Sequence, residues 1–145
     1  MAAKTINEMR LVIESRSANE SFARVTVAAF LAQLDPTIEE MSDVKTAVSE
    51  AVTNCIIHGY PDGIGSIFIT ARIYEDGKAV VRIRDTGRGI DNIDQAMEPL
   101  FTTGGAERGG LGFTVMESFM DKLKVRSAPG RGTTVTMEKY ISRRS

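Results

Sequence analysis

GSIFITARIYEDGKAVVRIRD, residues 65–85, decides the fold class. Two runs rich in β-branched residues alternate apolar with polar, and Glu75-Asp76-Gly77 separates them. Alternation at period two marks strands with one buried face. Asp-Gly supplies the backbone angles that a tight hairpin turn needs. Strands joined this closely pair antiparallel, because a parallel pair requires a long crossover. The chain is therefore not a series of βα units.

Reading outward, EMRLVIES (8–15) predicts a first strand. SANE (17–20) has the form of a capping box, with Ser17 as N-cap and Glu20 three residues later. It predicts a helix to about Leu34 whose apolar face includes Phe22, Val25, Ala29 and Phe30. DPTIEE (35–40) starts a second helix, capped either by Asp35 with Pro36 in the first turn or by Thr37 with Glu40. That helix carries Met41, Val44, Val48, Val52 and Ile56 and is expected to end at Gly59. Beyond the hairpin, residues 86–112 hold seven of the thirteen glycines and predict a long, partly mobile loop. GLGFTVMESFMDKL (110–123) predicts a helix, and KVRSAPGRGTTVTMEKY (124–140) predicts two strands around a Pro-Gly-Arg-Gly turn. The order β α α β β, loop, α β β is that of an α+β sandwich with helices on one face of a sheet.

Composition narrows the functional classes. A chain of 145 residues with 42% hydrophobic and 26% charged residues predicts one globular domain, residues 1–145. The net charge of −1 gives no reason to expect direct nucleic-acid binding. No stretch approaches the roughly 18–20 apolar residues that span a bilayer, and the N-terminus MAAKTINEMRLVIES has no signal-peptide core. The single cysteine, Cys55, excludes an internal disulfide framework and fits a reducing cytoplasm. No repeat or linker divides the chain.

The second helix has polar teeth. In SEAVTNCIIHGY (49–60), Glu50, Asn54 and His58 recur at intervals of four. Each step of four drifts only about 40° around a helix, so the three share one slanted stripe. Ala51, Val52, Cys55, Ile56 and Ile57 crowd that stripe, which suggests a polar edge facing a cavity. His58 stands in the last turn, where a cation suits the helix dipole, and is not assigned to catalysis. No second His or Cys offers zinc-ligand spacing.

Two glycine segments accompany the helix. DTGRGI (85–90) closes the hairpin with an acid and a Gly-x-Gly, and GGLGF (109–113) opens the third helix. Neither is a P-loop, since no Gly-Lys-Ser/Thr follows. Neither is a dinucleotide fingerprint, since the first follows a hairpin strand and not a βαβ unit. Glycines opening a helix expose backbone N–H groups, so 109–113 is a candidate phosphate cradle.

In order, EAVTN (50–54), DTGRG (85–89), GGLGF (109–113) and GTT (132–134) resemble the nucleotide-binding motifs of the family of gyrase, Hsp90, histidine kinases and MutL. NESFARVTVAAFLAQLDPT (19–37), VSEAVTNCIIHGY (48–60), PLFTT (99–103) and MESFMD (116–121) further resemble the anti-sigma F factors of spore-forming bacteria, a similarity running from about residue 8 to 137. The resemblance implies a two-layer α/β sandwich of the Bergerat type, with a mixed, mostly antiparallel sheet backed by helices. It implies ATP or ADP and Mg²⁺ as ligands. Asn54 then corresponds to the Mg²⁺ ligand, Glu50 to the general base, and Asp85 to the acceptor of the adenine amino group. Gly87 and Gly89 correspond to glycines that let the chain pass close to the base. Thr133 corresponds to a threonine that helps hold adenine, and Gly110 and Gly112 to donors of backbone N–H groups to phosphate. Thr102, Thr103 and Arg108 correspond to lid contacts with phosphate. Here the sequence departs from the family: GGAERGG follows FTT without the usual Lys-Pro, and the lid is one residue shorter.

The implied function is that of a serine/threonine protein kinase that also sequesters a sigma factor of the sigma F type. Its kinase substrate would be an anti-anti-sigma protein, phosphorylated on serine. The further domains of gyrase, Hsp90, MutL and histidine kinases find no room in 145 residues, so a stand-alone domain is expected to act on another protein. Arg24 is a candidate partner contact, and the family suggests a homodimer built on the first strand and helix. Two alternatives stay open: a stress-response anti-sigma kinase with other partners, and an anti-sigma module that binds ATP without catalysis.

Overall fold

A computed structural model of the chain describes residues 3–92 and 111–141. Five strands form one sheet: β1 (Thr5–Glu14), β2 (Ser66–Tyr74), β3 (Lys78–Asp85), β4 (Lys122–Ala128) and β5 (Gly132–Tyr140), in the order β1-β2-β3-β5-β4. Every described pairing is antiparallel, so the mixed sheet expected from the family is wholly antiparallel among these strands. The hairpin turn forms as the sequence requires. Gly77 takes φ +92° and its N–H donates to the Tyr74 carbonyl at 3.0 Å, while Asp76 Oδ1 accepts from the Lys78 N–H at 3.0 Å.

The helices α1 (Ala18–Leu31), α2 (Ile38–Asn54) and α3 (Phe113–Phe119) follow the expected order. Helix α2 starts at the Thr37 box. The Thr37 hydroxyl accepts from the Glu40 N–H at 3.0 Å, and the Glu40 carboxylate accepts from the Thr37 N–H at 2.9 Å. Asp35 sits instead at a left-handed φ of 53° after a 3₁₀ turn, Ala32–Leu34. The box expected at Ser17 does not form. Ser17 is already helical (φ −52°, ψ −38°), and its carbonyl, not its hydroxyl, takes the Glu20 N–H. The Glu20 carboxylate is committed elsewhere, to the Arg24 Nε at 3.0 Å and the Ser49 hydroxyl at 2.8 Å.

The apolar face assigned to α1 is also corrected. Phe22, Val25 and Ala29 are exposed, and the buried face is Ala23, Val27, Ala28 and Leu31. Small side chains at 23 and 28 let α1 approach α2 closely, which the larger residues at 22 and 25 would prevent. Phe30 does pack against the core. The third helix is shorter than its apolar pattern suggested. Met120 is extended, and β4 begins at Lys122, two residues before the expected start.

Val44, Val48 and Val52 of α2 meet Ile67, Ile69, Val81, Ile83 and Met137 of the sheet in one buried cluster. All three helices cover the same sheet face, and the other carries the alternate, mostly polar residues of each strand, with Val12, Phe68 and Val80 among them.

The two cap sites predict opposite outcomes. Thr37→Ala loses the hydroxyl that accepts from the Glu40 N–H, one half of the reciprocal box, and should destabilise the fold by about 1 kcal/mol. Ser17→Ala removes a hydroxyl that caps nothing and should change stability by less than about 0.5 kcal/mol. Urea unfolding of the two variants checks this, and equal losses would restore the box at Ser17.

Candidate active site

Helix α2 does not stop at Asn54 but widens into a π turn, Cys55–Gly59. Such turns are rare and concentrate at functional sites. Here it delivers Gly59 to the end of β3. The helical run ends at Gly59, as the sequence predicts; the residue has no positive φ, and its lack of a side chain serves the approach to Asp85. A methyl group there would lie 2.8 Å from the Asp85 Oδ2 atom.

Asp85 is 3% exposed, and among the described residues Ser15 is the other buried polar side chain. A buried carboxylate must be hydrogen-bonded. Oδ1 accepts from the Gly87 N–H at 3.0 Å and from the N–H of Thr133, its cross-strand partner, at 3.3 Å. The Cys55 thiol packs against the same carboxylate. Burial and the Asp85 charge together push that thiol far above the usual range, so it stays protonated and can donate.

The glycine segment after Asp85 is held against protein backbone. The Arg88 N–H donates to the Gly59 carbonyl at 2.9 Å, and a side chain on Gly87 would overlap that carbonyl. Gly89, at φ +78°, lies against the Ala128 carbonyl with the same consequence. The close approach these glycines permit is thus to the π turn and to the β4–β5 turn. Two residues that the motifs did not single out complete the frame. The Tyr60 hydroxyl accepts from the Thr86 N–H at 2.8 Å and donates to the Ser66 carbonyl at 2.7 Å. Ser127 donates to the Gly132 carbonyl at 2.9 Å, so its 2.8 Å contact with Thr133 makes the threonine hydroxyl the donor. Neither had a signal in spacing or composition: Tyr60, just past the π turn, bridges the start of β2 and the end of β3, and Ser127 acts through the β4–β5 register.

On α2, Glu50 and Asn54 stand one turn apart and both meet the segment that opens α3. The Asn54 carboxamide nitrogen donates to the Leu111 carbonyl. A side chain on Gly112, which takes φ +70°, would overlap the Glu50 carboxylate. Asn54, Asp85, Gly89 and Thr133 line one cavity of about 20 Å³, together with His58 and the apolar Ile83, Ile90 and Leu111. That is space for about one water. Gly87 and Gly112 flank it. Arg24 lies on α1, paired with Glu20, and is not part of its lining. Thr102, Thr103, Arg108 and Gly110 fall outside the described residues.

The donor set can be tested against the ligands the motifs imply. Among the described residues no three His, Cys, Asp or Glu side chains group to cage a metal. One carboxamide oxygen suits a hard cation that keeps water and phosphate as its other ligands, as Mg²⁺ does. The lining combines a buried acceptor, Asp85, a carboxamide, Asn54, and apolar walls, the donor set that a base joined to phosphate would use. No helix of the described residues is long and apolar enough to cross a membrane.

Comparison with known proteins follows the same outline. A family model described as a histidine kinase-like ATPase domain matches residues 13–139. The anti-sigma F factor of Caldanaerobacter subterraneus subsp. tengcongensis is 60% identical over 138 residues, covering 94% of this chain and 96% of that protein. The anti-sigma F factor of Geobacillus thermodenitrificans is 56% identical over 138 residues, covering 94% of each. Among solved structures, the RsbU and RsbW domains of Rv1364c from Mycobacterium tuberculosis superpose with a TM-score of 0.70 at 19% identity, over 97% of this chain and 34% of that one. This last likeness concerns the fold alone.

Burial pushes the Glu50 carboxyl above its ordinary value of 4.5. The folded state then favours the protonated acid, so the cost of ionising Glu50 is absent below the ordinary value and complete above the raised one. Stability is lost as pH rises through that window. Glu50→Gln should therefore raise the melting temperature relative to the parent chain at pH 7.5, and by clearly less at pH 4. Thermal unfolding at both pH values measures the two gaps; equal gaps would mean that Glu50 is not desolvated.

Proposed function

The chain belongs to the histidine kinase-like ATPase domain family, and from that premise we propose that it is an ATP-dependent serine/threonine protein kinase and an anti-sigma factor. It acts as a single domain in the cytoplasm, sequesters a sporulation sigma factor of the sigma F type, and phosphorylates an anti-anti-sigma antagonist on serine. The observation that carries the reading is the convergence of Asp85, Asn54 and Glu50: the first two line one cavity, and the third stands one helical turn from Asn54 against Gly112. Relatives named anti-sigma F factor, more than half identical along nearly the whole chain, support the anti-sigma half.

The residues divide the task by position. Asp85, fixed by two backbone N–H groups, accepts from the adenine amine, and Thr133 with Gly87 and Gly89 shapes that end of the site. Asn54 holds Mg²⁺, which when bound neutralises charge on the phosphates. Gly112 offers its N–H to those phosphates, and the motif resemblance alone assigns Gly110, Thr102, Thr103 and Arg108 to the same phosphates. Glu50 accepts the proton of the substrate serine as its oxygen bonds to the γ-phosphorus and the bond to the β–γ bridging oxygen breaks, releasing ADP. The raised carboxyl of Glu50 suits a proton acceptor better than an ordinary exposed glutamate would. Arg24 serves a partner, since it stands apart from the cavity. Ile6, Val12, Phe22 and Val25 are large apolar side chains exposed on β1 and α1, which supports a homodimer through those elements.

Two measurements test the assignment. Guanine presents a carbonyl oxygen where adenine presents its amine, and opposing two acceptors costs about 1–3 kcal/mol. ATP should bind at least about tenfold more tightly than GTP, with the preference eroded in Asp85→Asn; equal affinities in the parent chain would remove Asp85 from base recognition. Glu50 acts only in transfer, so Glu50→Ala should still bind ATP and still capture the sigma factor while single-turnover phosphorylation slows about 10²–10⁴-fold. Undiminished transfer would leave ATP as a structural ligand of a binding module.

A further inference from the structure

Ser127 stands behind the cavity lining and holds two residues that belong to it, Ile90 and Thr133. The Ile90 N–H donates to the Ser127 hydroxyl oxygen at 2.8 Å, and the Thr133 hydroxyl lies 2.8 Å from the same oxygen. A third contact, at 2.9 Å, runs to the Gly132 carbonyl. The two ends of this network fix its direction, because a backbone N–H can only donate and a carbonyl can only accept. Ser127 has one hydroxyl hydrogen and gives it to Gly132. Thr133 therefore donates to Ser127, and its own oxygen keeps two lone pairs with no hydrogen left to offer.

Register carries this polarity to the site. Asp85, Thr133 and Ser127 lie directly opposite one another on β3, β5 and β4. On the other side of Asp85 the row continues to Ile67, which is fully buried, so the row lies on the covered face of the sheet. Side chains directly opposed in such a row stand about 4.5–5.5 Å apart at Cβ. The β4–β5 turn does not need the serine hydroxyl to close. The Arg131 N–H donates to the Ala128 carbonyl at 3.0 Å, and the Gly130 N–H donates to the Arg88 carbonyl at 2.7 Å.

We propose that Ser127 is a specificity-determining residue of the nucleotide site: by taking the Thr133 hydroxyl hydrogen it makes Thr133 a second acceptor beside Asp85, and the pair selects a purine bearing an exocyclic amine over one bearing a carbonyl there. The inference rests on the assignment of Asp85 to base recognition and extends it to a residue outside the motifs. An amine directs two N–H groups about 120° apart. Two acceptors about 2.9 Å from its nitrogen then stand about 5 Å from each other, close to the spacing of neighbours in the row. A carbonyl oxygen in that place meets acceptors only. A threonine without the serine can turn its hydroxyl and donate to that carbonyl, so by itself it separates the two bases poorly. Ser127 removes this choice. It acts through Thr133, and is therefore a positioning residue.

The test measures binding of ATP and of inosine triphosphate to the full chain by titration calorimetry. Inosine triphosphate keeps the sugar and phosphates of ATP, carries a carbonyl in place of the amine, and has a proton on the adjacent ring nitrogen. The parent should prefer ATP at least about tenfold. In Ser127→Ala that ratio should fall at least about threefold, because Thr133 is released to donate to the carbonyl. Losing the Ile90 anchor lowers both affinities together and cancels in the ratio. Ser127→Thr, which keeps the hydroxyl, should retain the parent ratio. Thr133→Val removes the oxygen and should lower the ratio by itself; in that background Ser127→Ala should change it by less than about 1.5-fold. A serine that only supports the fold would weaken both nucleotides alike and leave the ratio at the parent value, which overturns the proposal. An unchanged ratio in Thr133→Val also overturns it, whether or not Ser127→Ala folds. Preference lost in Asp85→Asn but kept in Ser127→Ala removes Ser127 alone, whereas a parent that binds both nucleotides equally removes the base-recognition reading with it.

Discussion

One buried carboxylate organises the functional end of the molecule. A polar group inside an apolar core needs hydrogen-bond partners, and the chain brings them to Asp85 by bending three segments toward it. The π turn brings Gly59 and Cys55, the DTGRG loop brings the Gly87 N–H, and β5 brings the Thr133 N–H. Each has its own anchor, in the Arg88 bond to Gly59, the Tyr60 hydroxyl and the Ser127 hydroxyl. The cavity that results is walled by the frame built to hold Asp85.

Helix α2 is where stability and chemistry oppose each other. Its valines anchor the core, and its polar edge reaches the segment that opens α3. Placing Glu50 beside Gly112 desolvates the carboxyl, which works against the folded state at neutral pH and in favour of a proton acceptor. The same helix is tied to α1 by Ser49, whose hydroxyl donates to the Glu20 carboxylate that also holds Arg24. A residue proposed to meet partners and a residue proposed to move a proton are therefore separated by one short hydrogen-bonded path.

The two faces of the sheet have divided labour. The covered face carries the apolar alternate of every strand and positions the site. The open face carries the mostly polar alternate, and antiparallel register gathers its cations into rows.

Local chemistry determined a large part of this protein from sequence alone. The hairpin at 66–85, the order of elements, the Thr37 box and the stripe of Glu50 and Asn54 all rest on interactions within a few residues, which spacing records. The ordered motifs likewise marked Asp85, Asn54, Gly89 and Thr133, which the fold brings to one cavity. Tertiary packing decided the rest. Ser17 and Thr37 both present a box in sequence, but only Thr37 keeps the extended backbone that a cap needs. Two apolar stripes compete on α1, and the closeness of α2 chose the one with small residues. The contacts of the π turn with Asp85 and with Arg88 exist only after distant segments of the chain meet. No local signal encodes them, because the partners they need lie tens of residues away and meet only in the fold.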